Sequence, residues 1–353
     1  MEGELNNFLR LFVMAMASLL YCYLIAAKIP KGLLRLLSLI PVITLLSIIP
    51  FNLHSFHIGV PTWCYLAWLA NFKLLLFAFE QGPLSSPSSL SPWGFLAFLL
   101  TAAFPFKIKQ NLSKTNSKAL PNSISEASNK AVLLALVLHC YSYKQYFHQQ
   151  VLLTFYFLYS YFSIQLLLAV GAIPGQLILG LELEPQFNAP LLSTSLQDFW
   201  GHRWNLRVSD LLRAAVYDPV RHVSTRMIGP RWASLPAVFV TFFISGLVHE
   251  LLYHYITRAS PTWEVTLFFV LQGMWVDMEI VLKKKMVATN RFRLHRAVSG
   301  PLALAYIAVT AAWLSYTQIL RHGIDEKITR EFNLFVDFLK GTHSILRRNL
   351  VLH

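Results

Sequence analysis

The chain has 353 residues, of which 55% are hydrophobic and 13% charged, about half the charged share of a soluble domain. With a mean hydropathy of +0.50, this composition excludes an ordinary soluble domain and places the protein in the membrane class. The formal charge is +13, from 30 Lys+Arg against 17 Asp+Glu, but the basic residues are strung between apolar runs, which points to loops between spans rather than a nucleic-acid surface.

The first segment, MEGELNNFLR, leads with Glu2 and Glu4, whereas a secretory leader opens on positive charge. The apolar run behind it is therefore predicted to be a retained span. A helix needs about 20 apolar residues to cross the hydrocarbon, which predicts spans at 8–27, 33–50, 61–79, 131–147, 151–171, 233–256, 263–282 and 300–320. The stretch WGFLAFLLTAAFPF at 93–106 has 14 residues, too few to cross, and is predicted to be re-entrant or interfacial. The runs are continuous rather than alternating, which argues against a β-barrel.

With the N-terminus lumenal, the cytosolic segments become 28–35, 107–130, 172–232 and 283–299, which hold 3, 5, 6 and 6 basic residues, 20 of the 30. The loop FNLHSFHIGV, without Lys or Arg, falls on the lumenal side. A full crossing at 93–106 would move the lysine-rich loop 107–130 into the lumen, against the positive-inside rule. That loop is Ser/Asn-rich and reads as a flexible linker. The segment 172–232 has no clear span. Its interleaved aromatic and arginine residues predict a helix lying at the interface, with snorkelling arginines as the plainer reading. Cys22, Cys64 and Cys140 each lie in an apolar run and form neither a disulfide framework nor a zinc spacing.

Within the run 233–256 lies SGLVHELLYHY, Ser245 to Tyr255. Ionisable groups at that depth are functional candidates by default. HELLYH is one residue longer than the H-E-x-x-H of zinc proteases. His249 and His254 stand at i and i+5, about 140° apart around a helix, so one metal cannot take both; no metal is predicted. Two readings of His249 stay open: a neutral imidazole hydrogen-bonded between helices, and a general base, for which a neutral ring is suited. Ser245 and Gly246 are small and allow close approach one turn earlier. Tyr253 and His254 fall nearer the lumenal end and read as interfacial. Cys140 follows His139, but adjacent helix residues point about 100° apart, so they make no nucleophile–base pair. A transporter with a His/Glu proton path is the rival from another class, though no inverted repeat is visible.

SGLVHE at 245–250, preceded by FWGHRWN at 199–205, resembles the membrane-bound O-acyltransferase superfamily. Within it, WLANFKLLLFAFEQGPLS at 68–85, DFWGHRWNLRVSDLLRAAVYDPVR at 198–221 and the total length resemble the plant wax synthases, the long-chain-alcohol O-fatty-acyltransferases. The resemblance spans nearly the whole chain. It implies an all-α polytopic membrane protein of about 8 transmembrane helices plus the re-entrant/interfacial segment, with an intramembrane tunnel. The chain is then a single membrane-embedded domain, 1–353, whose helices 233–320 carry the catalytic histidine.

The resemblance also implies a histidine base, which maps onto His249, and a second essential polar residue, which maps onto Asn205. Glu250 is expected to orient His249, with Trp204 and His202 in support. The diacylglycerol branch carries F-Y-x-D-W-W-N. Phe199, Trp204 and Asn205 match its ends, while His202 and Arg203 replace its Asp and first Trp, which argues against that branch. Arg203, Arg207, Arg213 and Arg221 are candidates for the CoA phosphates. The expected partners are acyl-CoA as cosubstrate, a lipid alcohol and membrane lipids, with no separate cofactor and with residence in the endoplasmic reticulum membrane. A long-chain fatty alcohol is the expected acceptor, and a sterol or diacylglycerol stays open.

Overall fold

The computed structural model describes residues 2–85, 92–103, 119–179, 187–289 and 295–351. They are helical almost throughout. In chain order come α1 (Glu2–Leu24), α2 (Leu33–Ile48), α3 (Phe56–Trp63), α4 (Asn71–Ala78), α5 (Pro92–Ala103), α6 (Ala119–Tyr141) and α7 (Gln149–Leu179). The short helices α8 (Leu196–His202), α9 (Leu206–Leu212) and α10 (Asp218–Ile228) lead into α11 (Ser234–Thr257) and α12 (Glu264–Thr289). α13 (Arg296–Ala311), α14 (Thr317–Arg321) and α15 (Ile324–Val351) complete the order. Three of these rods are continuous across π-helical segments: Cys64–Ala70 joins α3 to α4, Arg213–Tyr217 joins α9 to α10, and Ala312–Tyr316 joins α13 to α14.

Among the described residues, seven helices are long and apolar enough to cross a membrane, against the eight expected: Gly3–Lys28, Leu33–Asn52, Phe56–Ala78, Val151–Gly171, Ser234–Thr257, Glu264–Lys285 and Arg296–Arg321. The run expected at 131–147 is interrupted. Its helix stops at Tyr141, and the chain turns where Lys144 meets Asp325 at 3.3 Å and Glu326 at 3.5 Å. This leaves an apolar stretch of Ala127–Tyr141. Nor is 107–130 all linker. Residues 119–130 form the start of α6, with Pro121 in the first turn, where a missing N–H is harmless; residues 107–118 lie outside the described residues. In the segment 172–232, α7 continues to Leu179 and α8 to α10 follow; residues 180–186 lie outside the described residues.

α5 has 12 residues, about 18 Å of helix against roughly 30 Å of hydrocarbon. It ends inside the protein. Its Thr101 carbonyl accepts from the Lys73 ammonium at 2.6 Å, and Lys73 is 2% exposed. The same device recurs at other helix ends. Arg35 donates to the carbonyls of Ile29, Ala27 and Phe77 at 2.9, 3.4 and 3.1 Å. Arg258 donates to the Leu53 carbonyl at 2.7 Å. Anions serve the opposite ends. Glu331 of α15 accepts from the Phe56 N–H at 2.8 Å, the His57 N–H at 3.1 Å and the Ser55 hydroxyl at 2.9 Å, all at the start of α3. Glu4 takes the His54 and Ser55 N–H groups at 2.8 and 2.7 Å.

Burial alone would raise the Glu331 carboxyl. The bonds from His57, the Phe56 and His57 main chain and Ser55 more than offset it, bringing the group from 4.5 to about 2. A depressed carboxylate stabilises the fold above its ordinary value, and that contribution fades as pH falls through the folded value. Glu331→Gln is expected to cost about 2–3 kcal/mol at neutral pH. Thermal unfolding in detergent should show the gap to wild type closing as pH drops from 4.5 toward about 2.

Candidate active site

The site is built on the middle of α11. His249 Nδ1 donates to the Ser245 carbonyl at 2.7 Å. The acceptor is a carbonyl, so Nδ1 carries the proton and Nε2 keeps its lone pair free. Two aromatic rings hold the imidazole. Phe269 of α12 lies 4.2 Å away, centroid to centroid, with planes 31° apart; Trp68, on the π-helical segment after α3, lies 4.9 Å away at 77°.

Gly246 makes the Phe269 contact possible. A Cβ there would stand 3.1 Å from the Thr266 Cα, 3.2 Å from the Thr266 carbonyl oxygen and 3.2 Å from the Phe269 Cβ, so any side chain would push α12 away. Glu250 fixes the register of the same pair of helices. It is 3% exposed, and its carboxylate accepts from the Trp263 N–H at 2.8 Å and from the Thr266 N–H and hydroxyl, both at 3.1 Å. These are unpaired donors at the N-terminus of α12. The expectation that Glu250 orients His249 is therefore corrected: its oxygens point to the next helix, and the main chain of Ser245 orients the ring. His254, five residues on, donates to the Ala259 carbonyl at 2.7 Å, away from the site.

His249 lies on the wall of a largely apolar cavity of about 1230 Å³, above the ~300–1,000 Å³ of a usual small-molecule pocket. Arg213, Tyr217, Lys284, His57 and Asp325 line it, and Lys284 bonds to Ser234 at the start of α11 at 3.3 Å. His249 sits about 22 Å along α11 from Ser234. Asn205 lines the same cavity. Its backbone is left-handed, φ 40° and ψ 61°, a conformation asparagine tolerates better than most residues. The turn is held by Trp204, which stacks on Phe199 at 5.3 Å and on Tyr161 at 6.0 Å. The Asn205 side-chain oxygen, an acceptor, is buried with no protein partner.

Residues 183–271, which hold both Asn205 and His249, match the family model described as "Membrane bound O-acyl transferase family". Over 345 residues, the chain is 42% identical to the long-chain-alcohol O-fatty-acyltransferase of Simmondsia chinensis, with 96% of each chain covered. It is 43% identical to the "Probable long-chain-alcohol O-fatty-acyltransferase 1" of Arabidopsis thaliana, with 96% of this chain and 98% of that one covered. The chain belongs to the plant wax synthase family of membrane-bound O-acyltransferases. It is a multi-pass membrane protein. A third relative, the acyl-CoA–sterol O-acyltransferase 1 of Arabidopsis thaliana, is 38% identical over 92% of this chain and 94% of its own.

The structure separates the four arginines singled out from this family resemblance. Arg213 lines the cavity. Arg203 is tied to Asp198 at 2.8 Å and to the carbonyls of Asn188 and Ala189. Burial alone would raise the Asp198 carboxyl, but bonds from Thr194 and Arg203 hold it below its ordinary value. Arg207 pairs with Asp210 at 3.1 Å, and Arg221 is exposed on α10; neither is on the cavity wall. His202 does line the cavity and is exposed. Three wall residues escaped the sequence reading. Lys284 stands in the triple-lysine run that ends α12, and its position after a span was the available signal. Trp68 and Phe269 carried none, because both look like ordinary apolar helix residues.

Gly246→Ala is expected to lower the thermal midpoint in detergent, at a cost of about 1–3 kcal/mol. It should also lower turnover more than it alters substrate affinity, because the displaced helix carries Phe269. Steady-state kinetics beside thermal unfolding check both parts.

Proposed function

We propose that the protein transfers a fatty acyl group from acyl-CoA to a long-chain fatty alcohol, giving a wax ester and CoA, with His249 as general base and no acyl-enzyme. The observation that carries this reading is the free Nε2 of His249 on the wall of a large, mostly apolar cavity that Asn205 also lines. The names of the relatives support the same chemistry.

In this mechanism acyl-CoA enters beside Lys284 at the start of α11, Lys284 and Arg213 meet its phosphates, and its acyl chain follows the apolar wall. The alcohol oxygen attacks the thioester carbonyl as Nε2 takes its proton. An alcohol is too weak an acid to ionise beforehand, so base and oxygen must already be in contact. The carbonyl oxygen becomes an oxyanion, to which the Asn205 amide donates. The carbon–sulfur bond then breaks, the thiolate recovers the proton from Nε2, and ester and CoA leave. His202 and Trp204 support the turn that presents Asn205. Cys140 is not on the cavity wall and takes no part.

A second acceptor is favoured by one observation: a sterol acyltransferase is almost as similar as the long-chain-alcohol enzymes. The departures at His202 and Arg203 disfavour diacylglycerol. Residence in the endoplasmic reticulum membrane belongs to the same proposal. A cytosolic cosubstrate fits it, with Lys284 and the start of α11 facing the cytosol.

The test uses microsomes expressing the full chain, fed labelled acyl-CoA with a fatty alcohol, a sterol or diacylglycerol. The expected product is wax ester. Sterol ester in its place would move the acceptor, and flux without ester would favour transport. His249→Ala is expected to insert normally and to lose ester synthesis by at least about 10³-fold. Lys284→Ala and Arg213→Ala are expected to raise the KM for acyl-CoA several-fold, about 5–20-fold together, with kcat within about twofold. Initial rates at varied acyl-CoA check this.

A further inference from the structure

Once His249 takes the hydroxyl proton it is an imidazolium in an apolar cavity, and an unpaired buried charge is strongly disfavoured. Many catalytic histidines meet that demand with a carboxylate on the second ring nitrogen. Here Nδ1 meets a neutral carbonyl, that of Ser245. The neighbouring carboxylate, Glu250, is committed to three donors at the start of α12. Among the described residues, no carboxylate is bonded to the His249 ring. What touches the ring is aromatic: Phe269 at 4.2 Å with planes 31° apart, and Trp68 at 4.9 Å edge-to-face at 77°, with both centroids inside the roughly 6 Å over which an aromatic ring acts on a cation.

Neither ring is there by loose packing. Phe269 is 7% exposed and Trp68 8%. Phe269 reaches His249 because Gly246 admits α12 and Glu250 pins its first turn. Trp68 projects from a π-helical segment, where the extra residue per turn redirects a side chain. We propose that Phe269 and Trp68 are positioning residues that stabilise the protonated form of His249 while the proton is in transit, in place of a carboxylate. The rings supply a π-face that is inert toward the neutral base and attractive to the cation. The acylation thus gains in its transition state without the resting imidazole being held charged. This rests on His249 acting as the base.

The test compares Phe269→Leu, Phe269→Tyr, Trp68→Leu and Trp68→Phe with wild type and His249→Ala in the same microsomes. Each is assayed with a long-chain alcohol and with its more acidic analogue fluorinated beside the hydroxyl carbon. The leucine variants are expected to lose about tenfold in kcat, with both KM values within about twofold. The aromatic replacements should retain most of the rate. The deficit of the leucine variants should shrink to under about threefold with the fluorinated alcohol, whose proton needs a weaker base. Leucine variants that keep wild-type kcat while His249→Ala is inactive would overturn the aromatic role and leave the base assignment standing. Deficits equal for both alcohols would also overturn it, marking the rings as packing alone. An active His249→Ala would remove the base, and this inference with it. Should one leucine variant fail to fold, the other and the two aromatic replacements still decide.

Discussion

Helix ends buried away from water must find partners, and in this protein acidic and basic side chains meet that constraint at one helix after another. In hydrocarbon an unmet N–H or carbonyl is worth several kcal/mol, and the helix dipole makes each end receptive to one sign of charge. Glu250 serves the start of α12 and Glu331 the start of α3, while the Glu279 carboxylate accepts the Gln197 N–H at 3.1 Å in the first turn of α8. Basic side chains take the other ends: Lys73 at α5, and Arg35 at α4, where it also lies 5.0 Å from the centre of the Phe77 ring. Each of these contacts joins two different elements, some of them far apart in sequence, as Glu331 to Phe56 and Glu279 to Gln197. The helix-end requirement is therefore also what sets the tertiary arrangement. The closest case is α11 against α12, where one carboxylate, one missing side chain and one aromatic ring together define the surroundings of His249.

This explains which parts of the site were legible in the sequence. The depth of His249 and Glu250 in an apolar run was enough to single them out, because burying such groups is costly wherever the run packs. Gly246 could be read as a point of close approach. The role of Glu250 could not be read, because its partners belong to Trp263 and Thr266 on the following helix, and periodicity within one helix says nothing about a neighbour's donors. The Arg207–Asp210 pair is separated by three positions on one helix face, so that arginine could have been discounted from spacing alone. Arg203 could not, since two of its acceptors are main-chain carbonyls in the preceding loop.

The spans were legible where an apolar run coincides with one helix. They failed at 131–147, where Ser142 and Lys144 interrupt the run and Lys144 turns to Asp325. The π-helical segments left no trace in composition, yet each contributes to the cavity wall, through Tyr65 and Trp68, Arg213 and Tyr217, and Ser315 and Tyr316. One added residue rotates everything beyond it by about 100°, so a regular projection misassigns the faces on one side of each segment. Apart from these, the cavity is framed by a polar chain between helices: Trp200 Nε1 donates to the Gln272 carbonyl oxygen at 3.2 Å, and the Gln272 amide donates to Thr310 at 2.9 Å.

Asn205 carries a consequence for how this position can vary over evolutionary time. Its backbone needs a residue at ease with positive φ, and the donor role proposed for it calls for a short neutral amide. Glycine supplies the first property without the second, glutamine supplies an amide one methylene longer without the first, and aspartate brings a charge in place of the donor. Two unrelated demands therefore converge on one amino acid, which leaves drift at this position almost no neutral route.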